Sequence, residues 1–218
     1  MLREKVYRNK GNIAVLEQVN DDKINILDVG CGAGDNANCL QRKGRKITGI
    51  TLSNEELKYA SEFCDHVILG DIENFNFHEL ESNYDAIILS HVCEHLIDPT
   101  QTIKNLLKTL HVNGILIAAV PNMSFYKNRI KLLKGDWSMS DSGPFDRTHL
   151  HFYDYFSINE LYESIEGIEV KKIPADLAIP LWPIRKIIKN KCKKIDFLIG
   201  ARFPNLFCQQ IILVINKV

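Results

Sequence analysis

Five short apolar runs separated by stretches of helical periodicity constrain this chain more than any other feature of it. They are "INILDV" (24–29), "KITGI" (46–50), "HVIL" (66–69), "YDAIIL" (84–89) and "GILIAAV" (114–120). Continuous apolar runs of this length are what strands look like when both faces of a parallel sheet are covered. The segments between them carry helix signals. Ser53 and Glu56 have the spacing of a capping box opening "NEELKYASEFC", and Ser157 and Glu160 repeat it before "INELYESI". "TQTIKNLLKTL" (100–110) places Ile103, Leu106, Leu107 and Leu110 on one face, and Gly114 stops that segment before the next strand. Strand–helix alternation predicts a doubly wound α/β fold. Two later runs, "IEVKKI" (168–173) and "LFCQQIILVIN" (206–216), complete a mostly parallel, Rossmann-like sheet of seven strands.

Composition narrows the class. No run of about 18 uncharged apolar residues is present, so no transmembrane helix is expected. "MLREKVYRNKGN" has no signal-peptide core. The six cysteines (Cys31, Cys39, Cys64, Cys93, Cys192, Cys208) form no CxxC pair, which argues against a zinc ribbon and a disulfide scaffold and for a reduced, cytoplasmic protein. Net charge is zero, yet from Leu181 onward there are eight Lys or Arg and one Asp. Basic charge confined to one segment is not the footprint of a nucleic-acid binder. One domain over 1–218 is expected, with an insertion at 121–156 above the carboxyl edge of the sheet and a basic amphipathic helix at 181–199 before the last strand.

The loop "ILDVGCGAGDNA" (26–37) joins the first strand to a helix. A dinucleotide fingerprint needs glycine at a third fixed position, where this chain has Asp35. The loop instead resembles motif I of the class I methyltransferases that use S-adenosylmethionine (SAM). "GDIENFNF" (70–77), "YDAIILSHVCEHLIDP" (84–99) and "LLKTLHVNGILIAAVPN" (106–122) resemble later segments of that family, in order. The resemblance implies SAM as cofactor and S-adenosylhomocysteine (SAH) as product. It implies Asp28, Gly30, Cys31, Gly32 and Gly34 in the first loop as cofactor residues, with Thr51, Leu52, Asp71, Ile72 and Ser90 beyond it. Asp71 would accept from the adenine amino group and the Ile72 N–H would donate. The family usually ends its second strand with an acid that holds the ribose hydroxyls. Here "GITLS" puts Thr51 there, an uncharged partner, with Glu55 and Glu56 the nearest acids. The same gap counts against NAD. A NAD(P)-dependent oxidoreductase and a non-catalytic SAM-binding subunit are the rival readings.

"SHVCEHL" (90–96) should face the methyl end of the cofactor. On a helical turn, His91, Glu94 and His95 share one face. "GPFDRTHLHFYD" (143–154) adds Asp146, Arg147, His149 and His151. Small-RNA 2′-O-methyltransferases and ubiquinone-pathway O-methyltransferases resemble this arrangement, with a glutamate, a Glu-His pair and a later histidine that bind a divalent ion. By that resemblance His91, Glu94, His95 and His149 form a metal set, with His91 replacing the first glutamate and shifting preference toward Zn²⁺, Mn²⁺ or Fe²⁺. Without metal, Glu94 and His95 stabilise a helix start, and His149 and His91 are the candidate catalytic bases. Either arrangement suits an alcohol acceptor, which must lose a proton to attack.

Residues 121–161 resemble a segment of bacterial methyltransferases found with polysaccharide and O-antigen synthesis, through "LLKGDW" and "DRTHL". This implies a small-molecule or glycan acceptor, and the basic helix, unless it is a solvated face, points to one that is nucleotide- or lipid-linked. Phe125, Tyr126, Trp137 and Phe145 either stack on sugar faces or pack a lid, and Asp146 with Arg147 reads as a loop-internal ion pair.

Overall fold

The computed structural model describes residues 6, 8–41, 44–77, 80, 83–180 and 198–218. The apolar runs become β1 (Asn25–Val29), β2 (Lys46–Thr51), β3 (His66–Leu69), β4 (Tyr84–Ser90) and β5 (Leu110–Pro121), followed by β6 (Ile168–Ala175) and β7 (Gln210–Lys217). They form one seven-stranded sheet in the order β3-β2-β1-β4-β5-β7-β6. The first five are parallel, and β7 is antiparallel to both its neighbours. The chain leaves β1 in one direction through β2 and β3, then returns to β4 on the other side of β1. That reversal opens a crevice beyond the carboxyl ends of β1 and β4, where ligands bind in doubly wound sheets.

Both sheet faces are covered, which is why the strand sequences run apolar without alternation. Ile26, Ile88, Ile117 and Ile212 point toward α1 (Ile13–Leu16), α2 (Asp35–Leu40) and α3 (Asn54–Ala60), burying Val15, Ala37 and Ala60. Leu27, Leu89, Leu116 and Leu213 point the other way, onto Ile103, Leu106 and Leu107 of α4 (Pro99–Thr109). Ile103 and Leu106 are fully buried, so truncating either to alanine costs about 2–5 kcal/mol. Asp98 starts α4 by accepting from the Gln101 N–H at 2.9 Å, with Pro99 in the first turn.

Three local expectations change. The helix ends at Thr109 and the chain is already extended at Leu110, so β5 begins before Gly114. The β4–β5 register shifts between Tyr84 and Ala86. Gly114 sits within that irregularity, where a Cβ would lie 2.8 Å from the Tyr84 carbonyl oxygen. The Ser157 segment is a 3₁₀ helix (Ser157–Leu161), and Asp154 rather than Ser157 caps it, accepting from the N–H groups of Phe156 and Ser157. Residues 206–207, read as the start of the last strand, belong instead to α6 (Pro204–Phe207), because Pro204 presets a helical first turn. The basic helix expected at 181–199 lies outside the described residues as far as position 197. The insertion follows β5 as expected, opening with α5 (Tyr126–Leu133) and folding back over the crevice.

Candidate active site

A cavity of about 880 Å³ occupies the crevice. Its floor is the loop after β1. Gly30 has φ +68°, and a Cβ there would sit 2.6 Å from Val92 Cγ2, so the loop lies directly on the segment that follows β4. Gly30, Cys31 and Gly32 line the cavity; Asp28 and Gly34, expected with them, stand behind its wall. Gly34 begins α2 at φ +83° and packs against Ala60. Asp28 is fully buried, and neither carboxylate oxygen has a partner in hydrogen-bonding geometry. Burial pushes its carboxyl up to about 7, and nearby Asn36 offsets only part of that.

The next wall comes from β2 and α3. Thr51, Leu52 and Glu56 line it together. Ser53 caps α3 through the Glu56 N–H at 3.4 Å, but the Glu56 side chain does not complete the capping box. It turns inward, and the Thr51 hydroxyl donates to its Oε2 at 2.6 Å. A buried carboxylate from the first turn of α3 therefore stands beside Thr51 at the end of β2. The sequence offers Glu55 and Glu56 as the acids that could fill this role beside Thr51, and the structure brings Glu56 to it. Asp71 and Ile72 line the adjoining wall. Asp71 also accepts from the Glu73 N–H and the Asn74 amide, starting the 3₁₀ turn Ile72–Asn74.

Ser90 and "HVCEH" form the far wall. His91 has φ +58°, an uncommon conformation for a non-glycine residue, and Asp176 opposite has φ +50°. Two strained residues at one cavity mark a functional constraint. The expected helical turn is a 3₁₀ turn, Cys93–His95, that begins after His91. Glu94 is 1% exposed. Its Oε1 lies 3.2 Å from His91 Nδ1 and 4.0 Å from His149 Nε2, and its Oε2 is buried with no partner.

The histidines from floor and roof meet. His95 and His149 stand edge to face, ring centroids 4.7 Å apart. His149 Nδ1 faces the Pro144 carbonyl at 3.3 Å, which can only accept, so Nδ1 carries the proton. His95 Nδ1 faces the Thr148 carbonyl at 3.2 Å and hydroxyl at 3.0 Å. That hydroxyl gives its proton to Asp146 Oδ1 at 2.7 Å, so His95 Nδ1 is also a donor. Both Nε2 atoms keep their lone pairs. One ligand atom from each of Glu94, His95 and His149 lies within 4.8 Å of the others. Roof and floor are locked by backbone as well, since the Glu94 carbonyl accepts from the N–H groups of Leu150 at 2.8 Å and His151 at 3.2 Å.

His91 is not part of this group. Its Nδ1 is spent on Glu94, and the fourth position expected of it lies outside the cluster. Burial lowers its pKa, but the Glu94 hydrogen bond and charge, with Gln210 and Asp176, outweigh that and raise it. A histidine biased toward its charged form is a poor base. Burial lowers the His149 pKa, Glu94 opposing and His95 reinforcing, which favours a neutral ring. His151 stacks on Tyr153 away from the cluster. Arg147 pairs with Asp141 at 3.3 Å, and Asp146 accepts from the N–H and hydroxyl of Thr148. Phe125 and Phe145 are buried, and none of Phe125, Tyr126, Trp137 or Phe145 lines the cavity. These rings pack the insertion, Trp137 edge-on to Phe145 with Lys131 over the Phe145 face.

A second group was not legible in sequence. Asn12 and Gln210 pair their amides reciprocally at 2.8 and 3.0 Å. Asn12 also donates to Ser90 Oγ, and Gln210 to Asp176 Oδ2. They tie the segment before α1 across the cavity to the end of the sheet.

The lining has a consistent electrostatic sign. Carboxylates of Glu56, Asp71, Glu94, Asp146 and Asp176 contribute, and no lysine or arginine does among the described residues. That set fits a cationic sulfonium cofactor and not a pyrophosphate. The Glu94–His95–His149 set, with its orphaned Oε2 and two fixed lone pairs, fits a divalent ion.

A family model for a methyltransferase domain matches residues 1–165. The ubiquinone biosynthesis O-methyltransferase of Rickettsia canadensis (strain McKiel) is 26% identical over 170 residues, 74% of this chain and 71% of that protein. The same enzyme of Rickettsia conorii (strain ATCC VR-613 / Malish 7) is 32% identical over 114 residues, 50% of this chain and 39% of that one. Among solved structures, a SAM-dependent methyltransferase from Archaeoglobus fulgidus superposes with a TM-score of 0.62 at 18% identity, over 90% of this chain and 87% of that one. The plantazolicin methyltransferase BpumL in complex with SAH gives 0.59 at 17% identity, over 94% and 80%. The glycine loop on its switch-point crevice, the strand order and the match over most of the chain agree: the chain belongs to the methyltransferase domain family, as a class I SAM-dependent methyltransferase.

Proposed function

We propose that this enzyme methylates a hydroxyl of a small, hydroxyl-rich acceptor, of carbohydrate type. SAM supplies an electrophilic methyl group on a sulfonium. Glu56 with Thr51 takes the ribose hydroxyls, Asp71 the adenine edge, and the glycine loop lets backbone approach the rest. The observation that carries the reading is the Glu94–His95–His149 cluster in the wall of the same cavity, with two Nε2 lone pairs turned inward. An alcohol must lose its proton as it attacks, and a neutral His149 accepts one. A divalent ion held by Glu94, His95 and His149 would occupy the His149 lone pair and would act instead by lowering the pKa of the acceptor hydroxyl. The acceptor end of the cavity supports a polyol: Ser142, Asp176, Gln209 and Gln210 line it, and among the described residues no aromatic ring other than histidine does.

A phenolic acceptor is the second reading, favoured by the ubiquinone-pathway names of the relatives. SAH release, measured with a panel of sugars and of catechols, with and without chelator, separates the two. Turnover of catechols alone sinks the carbohydrate reading. Full activity in chelator sinks the metal. Activity undiminished in His149→Ala sinks the site.

A further inference from the structure

We propose that the outer face of α5, with the surface adjoining α6, docks on an anionic lipid bilayer. Ile130 and Leu133 stand one turn apart at the centre of the solvent face of α5, 46% and 87% exposed, while Asn128 on the opposite face is buried. Helical geometry puts Arg129 on one flank of that apolar pair and Lys127 and Lys134 on the other. Trp137, just beyond the helix, is 57% exposed, with its ring against the half-exposed Phe152. The Tyr126 and Phe207 rings, 6.3 Å apart, bring α6 beside α5 and extend the surface to Arg202 and the exposed Phe203.

Two features choose the occupant. The first is charge. Residues 126–135 and 198–207 contain five Lys or Arg and no Asp or Glu, in a chain whose net charge is zero. Lys127, Arg129 and Lys134 form no ion pair among the described residues. The second is an exposed apolar centre, which phosphate contacts alone would leave in water. An apolar stripe flanked by Lys and Arg, with Trp at its margin, is the pattern of a helix lying in the headgroup region of an acidic membrane. Ser142, Gly143 and Pro144 of the same insertion line the cavity. This goes beyond the acceptor reading and does not rest on it.

The test is sedimentation of the full chain, saturated with SAH, with vesicles of phosphatidylglycerol and phosphatidylcholine in equal parts or of phosphatidylcholine alone. Binding to the anionic vesicles should exceed binding to the neutral ones by about tenfold or more at low salt, and weaken as salt rises. The double variant Ile130→Asp/Leu133→Asp should lose about tenfold or more, and Lys127→Glu/Lys134→Glu a similar amount, both retaining SAH affinity by calorimetry. If the aspartate variant fails to bind SAH, the charge-reversal variant decides, since it alters only surface side chains. Equal binding to both vesicle types, or none, overturns the proposal. So does wild-type binding in the charge-reversal variant, which assigns the membrane contact to another surface, or self-association through this face with no vesicle binding.

Discussion

The two halves of the cavity are built by different means. The cofactor half is made of segments that each follow a strand directly: the glycine loop after β1, Thr51 to Glu56 after β2, Asp71 after β3. Its geometry is local, set by strand ends and first helical turns. The acceptor half joins residues more than fifty positions apart. Glu94 and His95 come from a turn after β4, and His149 from the insertion, brought together by the Glu94 carbonyl, the Thr148 contacts and the Pro144 carbonyl. One half can be altered a residue at a time; the other fails as a unit.

That difference sets the order of expected effects. Glu94→Ala should be the most damaging change, about 10³-fold or more in kcat/KM. It removes the carboxylate between three histidines, and SAM affinity by calorimetry should stay within about threefold. A large loss of SAM affinity would show that the halves are not separable. His149→Ala should lower the rate by about 10²-fold. With wild type, the acid limb of the pH–rate profile should lie below the ordinary histidine range, because a lowered pKa keeps the ring neutral until the pH falls through it. An acid limb above that range assigns the base to another group.

Glu56→Gln tests the opposite half. It should weaken SAM binding by about tenfold, the worth of one charge-assisted hydrogen bond, with kcat nearly unchanged. Thr51→Glu, which sequence alone suggests as an improvement, should weaken binding, since it sets a second carboxylate against Glu56. Tighter binding would mean that Glu56 does not serve the ribose. The smallest effect is on stability. The Asp28 carboxyl is raised to about 7, so the folded state holds its proton more tightly than the unfolded chain. The stability linked to that proton is full below the ordinary carboxylate range and is lost as pH rises toward 7. Asp28→Asn should therefore raise Tm at pH 8 and change it little at pH 4, by thermal melts in cofactor-free buffer. An equal shift at both values would tie the effect to packing instead of charge.

The same division decides what could be read from sequence. Strand runs, the order of motifs and the glycine loop are local patterns, and the sheet follows them closely. The structure departs from the local pattern where a neighbour outside the motif takes over: Asp154 in place of Ser157, Pro204 starting a turn that runs into the first two residues of the expected strand, and the Glu56 carboxylate bonding Thr51. The Glu94–His95–His149 grouping is reachable only by family resemblance, which also brings in His91 in place of a glutamate, and the shared face that i, i+3, i+4 spacing gives it needs a helix that its left-handed φ forbids. The aromatics of the insertion looked like a sugar platform because composition does not tell a packed ring from an offered one. Asn12, Asp176 and Gln210 carry no pattern at all.

The amide pair between Asn12 and Gln210 joins positions 198 apart. Gln210 opens β7, the strand that the sheet accommodates between β5 and β6. The segment over the glycine loop can therefore fasten only after β7 has taken its place beside β5, a contact of long sequence separation that forms late in folding. A chain with β1 to β5 in place but β7 unpaired should hold the glycine loop without this cover.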